Sequence, residues 1–285
     1  MNTHAESNAD KALHAATNMP KSMAQQIEEV HSSIAELLFE IDFIVLQVNP
    51  QIEADYFIKI GCLENELLRA QIAARRAQRK VTLAQARVNS RMGIDETSLE
   101  ATLDHEFEMW QQQLASRIEN YLFMLEQHNG KRAMSPADER EFKALHRKLV
   151  KRLHPDLNHA QDSDAIRFFL IAQAAFEVGD IETLKSVDVA TQYMTQLAVD
   201  ENWTEDELNA EYELALAQLR ITQERLDELK SQNPYAMGKK LDDPVWVCAR
   251  TKVLQELIQE QEQVRALYEQ RFIELKEFGN DDIQQ

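Results

Sequence analysis

The sequence predicts an all-α protein, and three observations carry that prediction. Its 285 residues include only 6 Gly and 6 Pro, too few breakers for a turn-rich β fold. Leu, Ala, Glu, Gln, Lys and Arg recur throughout, and such residues lose little rotamer freedom in a helix. Apolar residues return at alternating three- and four-residue steps, the period of one helix face.

Taken in order, residues 1–20 are polar, carry acidic residues and have no continuous apolar run, so they read as a flexible tail rather than a signal peptide. Ile27, Val30, Ile34, Leu37, Ile41, Ile44 and Val48 then form one stripe. Asn49-Pro50 is expected to break that helix, because a residue before proline is pushed out of the α region. A second stripe runs from Ile52 and Tyr56 through Leu63 and Leu67 to Val88. Its small residues, Ala70 to Ala84, permit close approach of another helix. Residues 21–92 are therefore expected to form an N-terminal antiparallel hairpin with coiled-coil-like packing.

Arg91-Met92-Gly93 reads as a helix stop, and Asp95 to Ser98 offers caps. A connecting amphipathic helix over 93–130 carries Leu99, Leu103, Phe107, Trp110, Leu114, Ile118, Tyr121 and Leu125. Ser135-Pro136 starts the next element, with serine as N-cap and proline in the first turn. Residues 191–285 read as a C-terminal hairpin. One arm carries Leu208 to Leu229, opened by Thr204 and Glu207 at capping-box spacing. The other carries Trp246 to Leu275, beyond a loop with Asn233-Pro234 and Gly238.

The net charge of −18 opposes general binding to nucleic acid or anionic membranes. No run of about 18 apolar residues is present to span a bilayer. Cys62 and Cys248 stand far apart without a CxxC motif, and His146, His154 and His159 have no recognised ligand spacing. No metal, cofactor or catalytic residue is assigned, and reducing cytoplasm is the expected compartment.

Against that acidic background one basic helix stands out. Phe142, Leu145, Leu149 and Leu153 fall on one side of it, and Lys143, Arg147, Lys148, Lys151 and Arg152 cover the rest. It stops at His154-Pro155-Asp156, and a polar loop follows. A further helix shows Ala165, Phe169, Ala172 and Phe176 on one face. Apolar backs that face each other, with a loop between and a basic front, make an antiparallel docking module.

The run Arg147 to Asp156 closely resembles the second helix and signature loop of J-domains, and Phe169 with Ala175-Phe176-Glu177-Val178 resembles their third helix. The resemblance covers roughly residues 136–190, within a J-domain-like module at 131–190. It implies an all-α fold in which a J-domain-like antiparallel helix pair is embedded between long antiparallel, coiled-coil-like helical hairpins. It also implies a co-chaperone, not an enzyme, that docks on a DnaK-type ATPase chaperone and stimulates ATP hydrolysis. His154, Pro155, Asp156, Lys143, Arg147, Lys148, Lys151 and Arg152 would make the contact, while the arms hold a client or an assembly, or pair between copies of the chain.

Several positions depart from the family pattern. Leu157 replaces a frequent lysine, Leu153 a frequent tyrosine, and neither a tyrosine-bearing first helix just upstream nor a clear fourth helix is visible. The helix over 107–125 is the candidate substitute for the first. The alternative is a helical scaffold whose J-like module no longer stimulates an ATPase. Exposure of His154 and Asp156 discriminates between the two readings.

Three further expectations concern the surroundings. Leu170, Ile171 and Val178 are expected to be buried against the hairpins, because large exposed apolar patches are uncommon. The basic stretch Arg75, Arg76, Arg79, Lys80, Arg87 and Arg91 is expected to pair with Glu28, Glu29, Glu36 and Glu40. Trp110, Trp203 and Trp246 read as core or interface anchors.

Overall fold

The computed structural model describes residues 22–130, 134–157, 163–194 and 203–281. The expected tail at 1–20, His159 and most of the loop after Asp156 lie outside them. Every element among the described residues is helical: α1 (Met23–Phe43), α2 (Asn49–Tyr56), α3 (Cys62–Asn89), α4 (Glu96–Gly130), α5 (Pro136–Leu153), α6 (Ser163–Val178), α7 (Ile181–Ala190), α8 (Glu205–Ser231), α9 (Tyr235–Leu241) and α10 (Pro244–Asp281), with π-helical segments at Ile44–Val48 and Phe57–Gly61. No helix among these residues is long and apolar enough to cross a membrane. The chain divides into two compact units.

The first unit comprises 1–47 and 133–231, and holds α1, α5, α6, α7 and α8. Its core is built from large side chains on four helices. Ile34, Leu38 and Phe39 come from α1, Phe142, Leu149, Val150 and Leu153 from α5, Phe169 and Phe176 from α6, and Leu184 and Val187 from α7. The rings pack closely, with Phe142 stacked on Phe176 at 4.6 Å and Phe39 tilted on it at 6.4 Å. Such pairs add to simple area burial. Along α1, α8 buries Ala215, Thr222 and Leu226.

The second unit comprises 48–132 and 232–285. Its long helices are α3, α4 and α10. The α3 face that meets its partners is mostly alanine, with Ala74, Ala77 and Ala84 buried. Small side chains let helix axes approach, as the stripe predicts. Ala84 packs with Leu99 of α4 and with Phe272 and Leu275 of α10. A second cluster joins Ile60, Leu241 and Leu254.

The helices pair differently from expectation. Asn49-Pro50 makes no tight turn: Val48 is helical at φ −77°, ψ −48°. Proline has no N–H to give, and the i→i+5 bonding of Ile44–Val48 just before it is the local adjustment. The expected 21–92 hairpin is replaced by pairings within each unit. α1 pairs with α8, and α3 pairs with α10 and α4. Glu64 meets Arg250, while Lys80 meets Phe272, so α3 and α10 run in the same direction. Arg76 reaches Asp104 and Lys80 reaches Glu96, so α3 and α4 are antiparallel. The 93–130 helix is thus one arm of a hairpin, not a connector. The C-terminal hairpin is likewise replaced, since α8 and α10 belong to different units.

The local stop and start signals are mostly where the sequence puts them. Asp95 caps α4 by accepting from Thr97 N–H at 3.1 Å. Thr204 and Glu207 form the reciprocal capping box. The left-handed residue after α3 is Arg91 at φ 53°, not Gly93. The basic stretch of α3 pairs with α4 instead of the α1 acids, through Arg76–Asp104 and Arg79–Glu106, each at 2.8 Å. Trp110 is an exposed residue with Arg75 over its ring at 5.3 Å.

Candidate docking site around the His154-Pro155-Asp156 turn

α5 is bounded by its own sequence. Ser135 accepts from Asp138 N–H at 3.2 Å, and Pro136 occupies the first turn. Asp138 and Glu139 lie at its positive end and Lys151 and Arg152 at its negative end, both favourable to the helix dipole. At the far end His154 leaves helical space, with φ −61° and ψ 129°, the conformation imposed on a residue before proline. Its N–H still donates to Val150 at 3.0 Å, and Leu157 N–H donates to the His154 carbonyl at 3.0 Å. The four residues make a hydrogen-bonded turn.

The histidine ring faces inward. It is 9% exposed and stands edge-on to Phe169 of α6 at 4.8 Å. Its Nδ1 accepts the Asp156 backbone N–H at 3.0 Å, so the neutral ring carries its proton on Nε2. Burial pushes the His154 pKa down from its ordinary value. Asp156 and Asp42 oppose that shift, while Arg225 and His146 reinforce it. Pro155 and Asp156 are exposed, and the Asp156 carboxylate lies 3.9 Å from Nδ1. The turn therefore uses its histidine as an internal brace and offers proline and aspartate to solvent. From α8, Gln218 donates its side-chain amide to the Asp156 carbonyl.

The five cations of α5 named for the basic front, Lys143, Arg147, Lys148, Lys151 and Arg152, do not form one free front. Lys143 and Arg147 lie over Phe43 and Phe39 of α1, at 4.6 and 4.5 Å. Arg147 also pairs with Glu36 at 2.9 Å and Lys143 with Glu139 at 2.7 Å. Lys148 and Arg152 converge on Asp188 of α7, at 2.8 and 2.9 Å, and Arg152 donates to the buried Thr191 hydroxyl. Burial works to raise the Asp188 pKa, but the bonds and charge of the two cations outweigh it and hold the carboxyl below its usual range. Lys151 is half-buried between the two groups. Arg147 and Lys148 remain about half exposed while paired.

Two helices that the sequence did not connect to the α5–α6 pair pack against it. α1, about a hundred residues upstream, packs on α5 where the 107–125 helix was expected; that helix belongs to the second unit. α7, for which the sequence showed no clear helix, follows α6 and packs on both α5 and α6. Gly179 at φ +80° allows the chain to turn, and Asp180 caps α7 by accepting from Thr183 N–H at 3.0 Å.

His146 was also missed as a core residue, although it sits between Phe142 and Leu149 on the apolar stripe. It is fully buried, stacks on Phe176 at 3.8 Å, and its Nε2 donates to Asp42 at 3.2 Å. Asp42 takes a second bond from Gln173 at 3.2 Å. This buried pair ties α1, α5 and α6 together. Among the described residues, no group of three side chains is arranged to hold a metal.

Leu170, Ile171 and Val178 are not covered as expected; they are 58, 45 and 58% exposed. Comparison with protein-family models, with curated proteins and with solved structures gave no match.

Proposed function

We propose that this chain is a J-domain-like co-chaperone that docks on a DnaK-type ATPase and stimulates its ATP hydrolysis. The observation that carries the reading is the turn at His154–Leu157, whose inward histidine fixes an outward Pro155 and Asp156. A turn braced in this way presents a carboxylate in one geometry, so little ordering entropy is lost on contact. Asp156 then accepts a charge-assisted hydrogen bond from a partner arginine. The half-exposed Arg147 and Lys148 steer an acidic partner surface toward it.

The packing of α1 and α7 on α5 and α6 also supports the reading, because it holds rigid the helix pair that carries the turn. The long helices of α8 and of the second unit are the arms, and they bind a client or an assembly. No bond-making step falls to this chain. Its expected compartment is the cytoplasm.

Two observations favour the scaffold as second reading: His154 is buried, so only Asp156 of the discriminating pair is exposed, and the basic side chains of α5 are already engaged. Lys148 and Arg152 already share Asp188, and Arg147 already has Glu36. Those cations then serve to clamp α1 and α7 and owe nothing to a partner.

Steady-state ATP turnover by a DnaK-type chaperone separates the two readings. Turnover should rise several-fold on adding the chain, and should not rise with Asp156→Asn or His154→Gln. Stimulation unchanged in both variants contradicts the proposal and favours the scaffold.

A further inference from the structure

The His154–Leu157 turn is held by a helix outside the α5–α6 pair. α8 lies along α1 and buries Ala215, Thr222 and Leu226. Its place is set at two levels, where Glu211 meets His31 of α1 at 3.4 Å and Lys230 pairs with Glu40. At about 100° per residue, Gln218 and Arg225 stand two turns apart on one flank of that buried stripe. Gln218 donates its amide to the Asp156 carbonyl. The charge of Arg225 acts against protonation of His154, which keeps Nδ1 an acceptor for the Asp156 N–H.

The bond from Gln218 falls where it fixes Asp156. The direction of a side chain is set by the two peptides that flank its Cα. The peptide before Asp156 gives its N–H to His154 Nδ1. The peptide after it gives its N–H, that of Leu157, to the His154 carbonyl. Both of these bonds are internal to the turn, and a short surface turn held from within opens easily. Gln218 takes the other end of the second peptide, its carbonyl, and ties the turn to a separate, anchored helix.

α8 does not mask the residue it holds. The bond is made to backbone, and the Asp156 carboxylate is 49% exposed, with Pro155 exposed beside it. A helix that closed the turn against partners would engage the carboxylate.

We infer that Gln218 is a positioning residue for docking: it anchors the Asp156 carbonyl to α8 and so sets the direction in which the Asp156 carboxylate meets an ATPase partner. The inference rests on the docking reading and gives α8 a role in it beyond that of an arm. A turn that has lost this bond must be reordered on contact. Its apparent affinity falls with the fraction in the competent form, while the docked complex is unchanged.

Gln218→Met keeps the length of the side chain and removes the donor. Amide hydrogen exchange of the full chain, followed by NMR, should quicken about 3–10-fold at Asp156 and Leu157, the effect of about one net hydrogen bond. It should not change at Leu149 within α5, and thermal unfolding should not move. In ATP turnover by a DnaK-type chaperone, the half-saturating concentration of the chain should rise several-fold, with turnover at saturation unchanged. Gln218→Glu sets an acceptor against the carbonyl and should act in the same direction at least as strongly. A wild-type chain that gives no stimulation sinks the docking reading, and the docking role of Gln218 with it. Where the wild-type chain stimulates, an unchanged half-saturating concentration in Gln218→Met overturns the inference alone. A lower one does so too, since α8 would then restrain the turn. Exchange unchanged at Asp156 and Leu157, or quickened equally through α5, also overturns it.

Discussion

The four-helix cluster of the first unit and the long-helix assembly of the second solve the same problem with different side chains. The first buries stacked rings and long aliphatics from α1, α5, α6 and α7 around a buried His146–Asp42 pair. The second packs helices on an alanine face and surrounds the contact with ion pairs among α3, α4 and α10. Dense, irregular packing specifies one arrangement, because each ring fits a single neighbour set. An alanine seam with polar flanks holds long helices together while leaving much of their surface in solvent. The turn that we assign to docking stands on the first kind of support.

The largest effect should come from the centre of the first core. Phe176→Ala removes a fully buried ring that contacts Phe39, Phe142 and His146. It should cost about 3–5 kcal/mol in urea unfolding. A cost under about 1 kcal/mol would mean that the rings are not the fold's anchor.

The buried pair comes next. Asp42→Ala strands His146 Nε2 and the Gln173 amide, and should cost roughly 1–3 kcal/mol. In the second unit the sensitive change is the reverse one. Ala84→Leu forces extra volume between α3, α4 and α10, and should cost about 1–3 kcal/mol. A larger side chain accepted there without loss would break the contrast between the two cores.

Acid should loosen the docking turn. Burial holds the His154 pKa below its unfolded value of about 6.5, so the neutral ring contributes stability that is complete above that pH. The contribution is lost as pH falls below about 6.5, because the unfolded chain then binds the proton more readily. A protonated Nδ1 also cannot accept the Asp156 N–H. Stability measured from pH 7.5 to 5 should decline in that window for the wild-type chain and less for His154→Gln.

The smallest effect belongs to the surface network. Lys80 bonds Glu96 and Glu100 at 3.1 and 2.6 Å. Its pKa is raised although burial works to lower it, because these bonds and charges outweigh burial. The acids are well exposed, so Lys80→Met should cost under about 1 kcal/mol, and less as salt is added.

Much of this was legible in the sequence and some was not, for reasons that differ by residue. Helix identity and the ends of α4, α5 and α8 follow from local chemistry, as Asp95, Ser135, the His154-Pro155 step and Thr204 show. The choice of partner does not. The stripes of α1, α3, α8 and α10 are all Leu, Ile, Val or Ala at the same period, so any two can be paired on paper. Pro50 then misled the pairing, because the π-helical bonding that carries the backbone past it has no sequence signature. At the site, the wheel separates cations from apolar residues but not which neighbour each cation meets. Phe39 and Phe43, which receive Arg147 and Lys143, lie about a hundred residues away. His146 could have been found, since the apolar stripe of α5 runs through its position.

Asp156→Asn tests the docking account most directly. It removes a charge from an exposed side chain while keeping the backbone bonds of the turn, to His154 Nδ1 and from Leu157. The account predicts a variant that unfolds like the wild-type chain and no longer raises ATP turnover by a DnaK-type chaperone. A variant that stimulates as well as the wild type would contradict it.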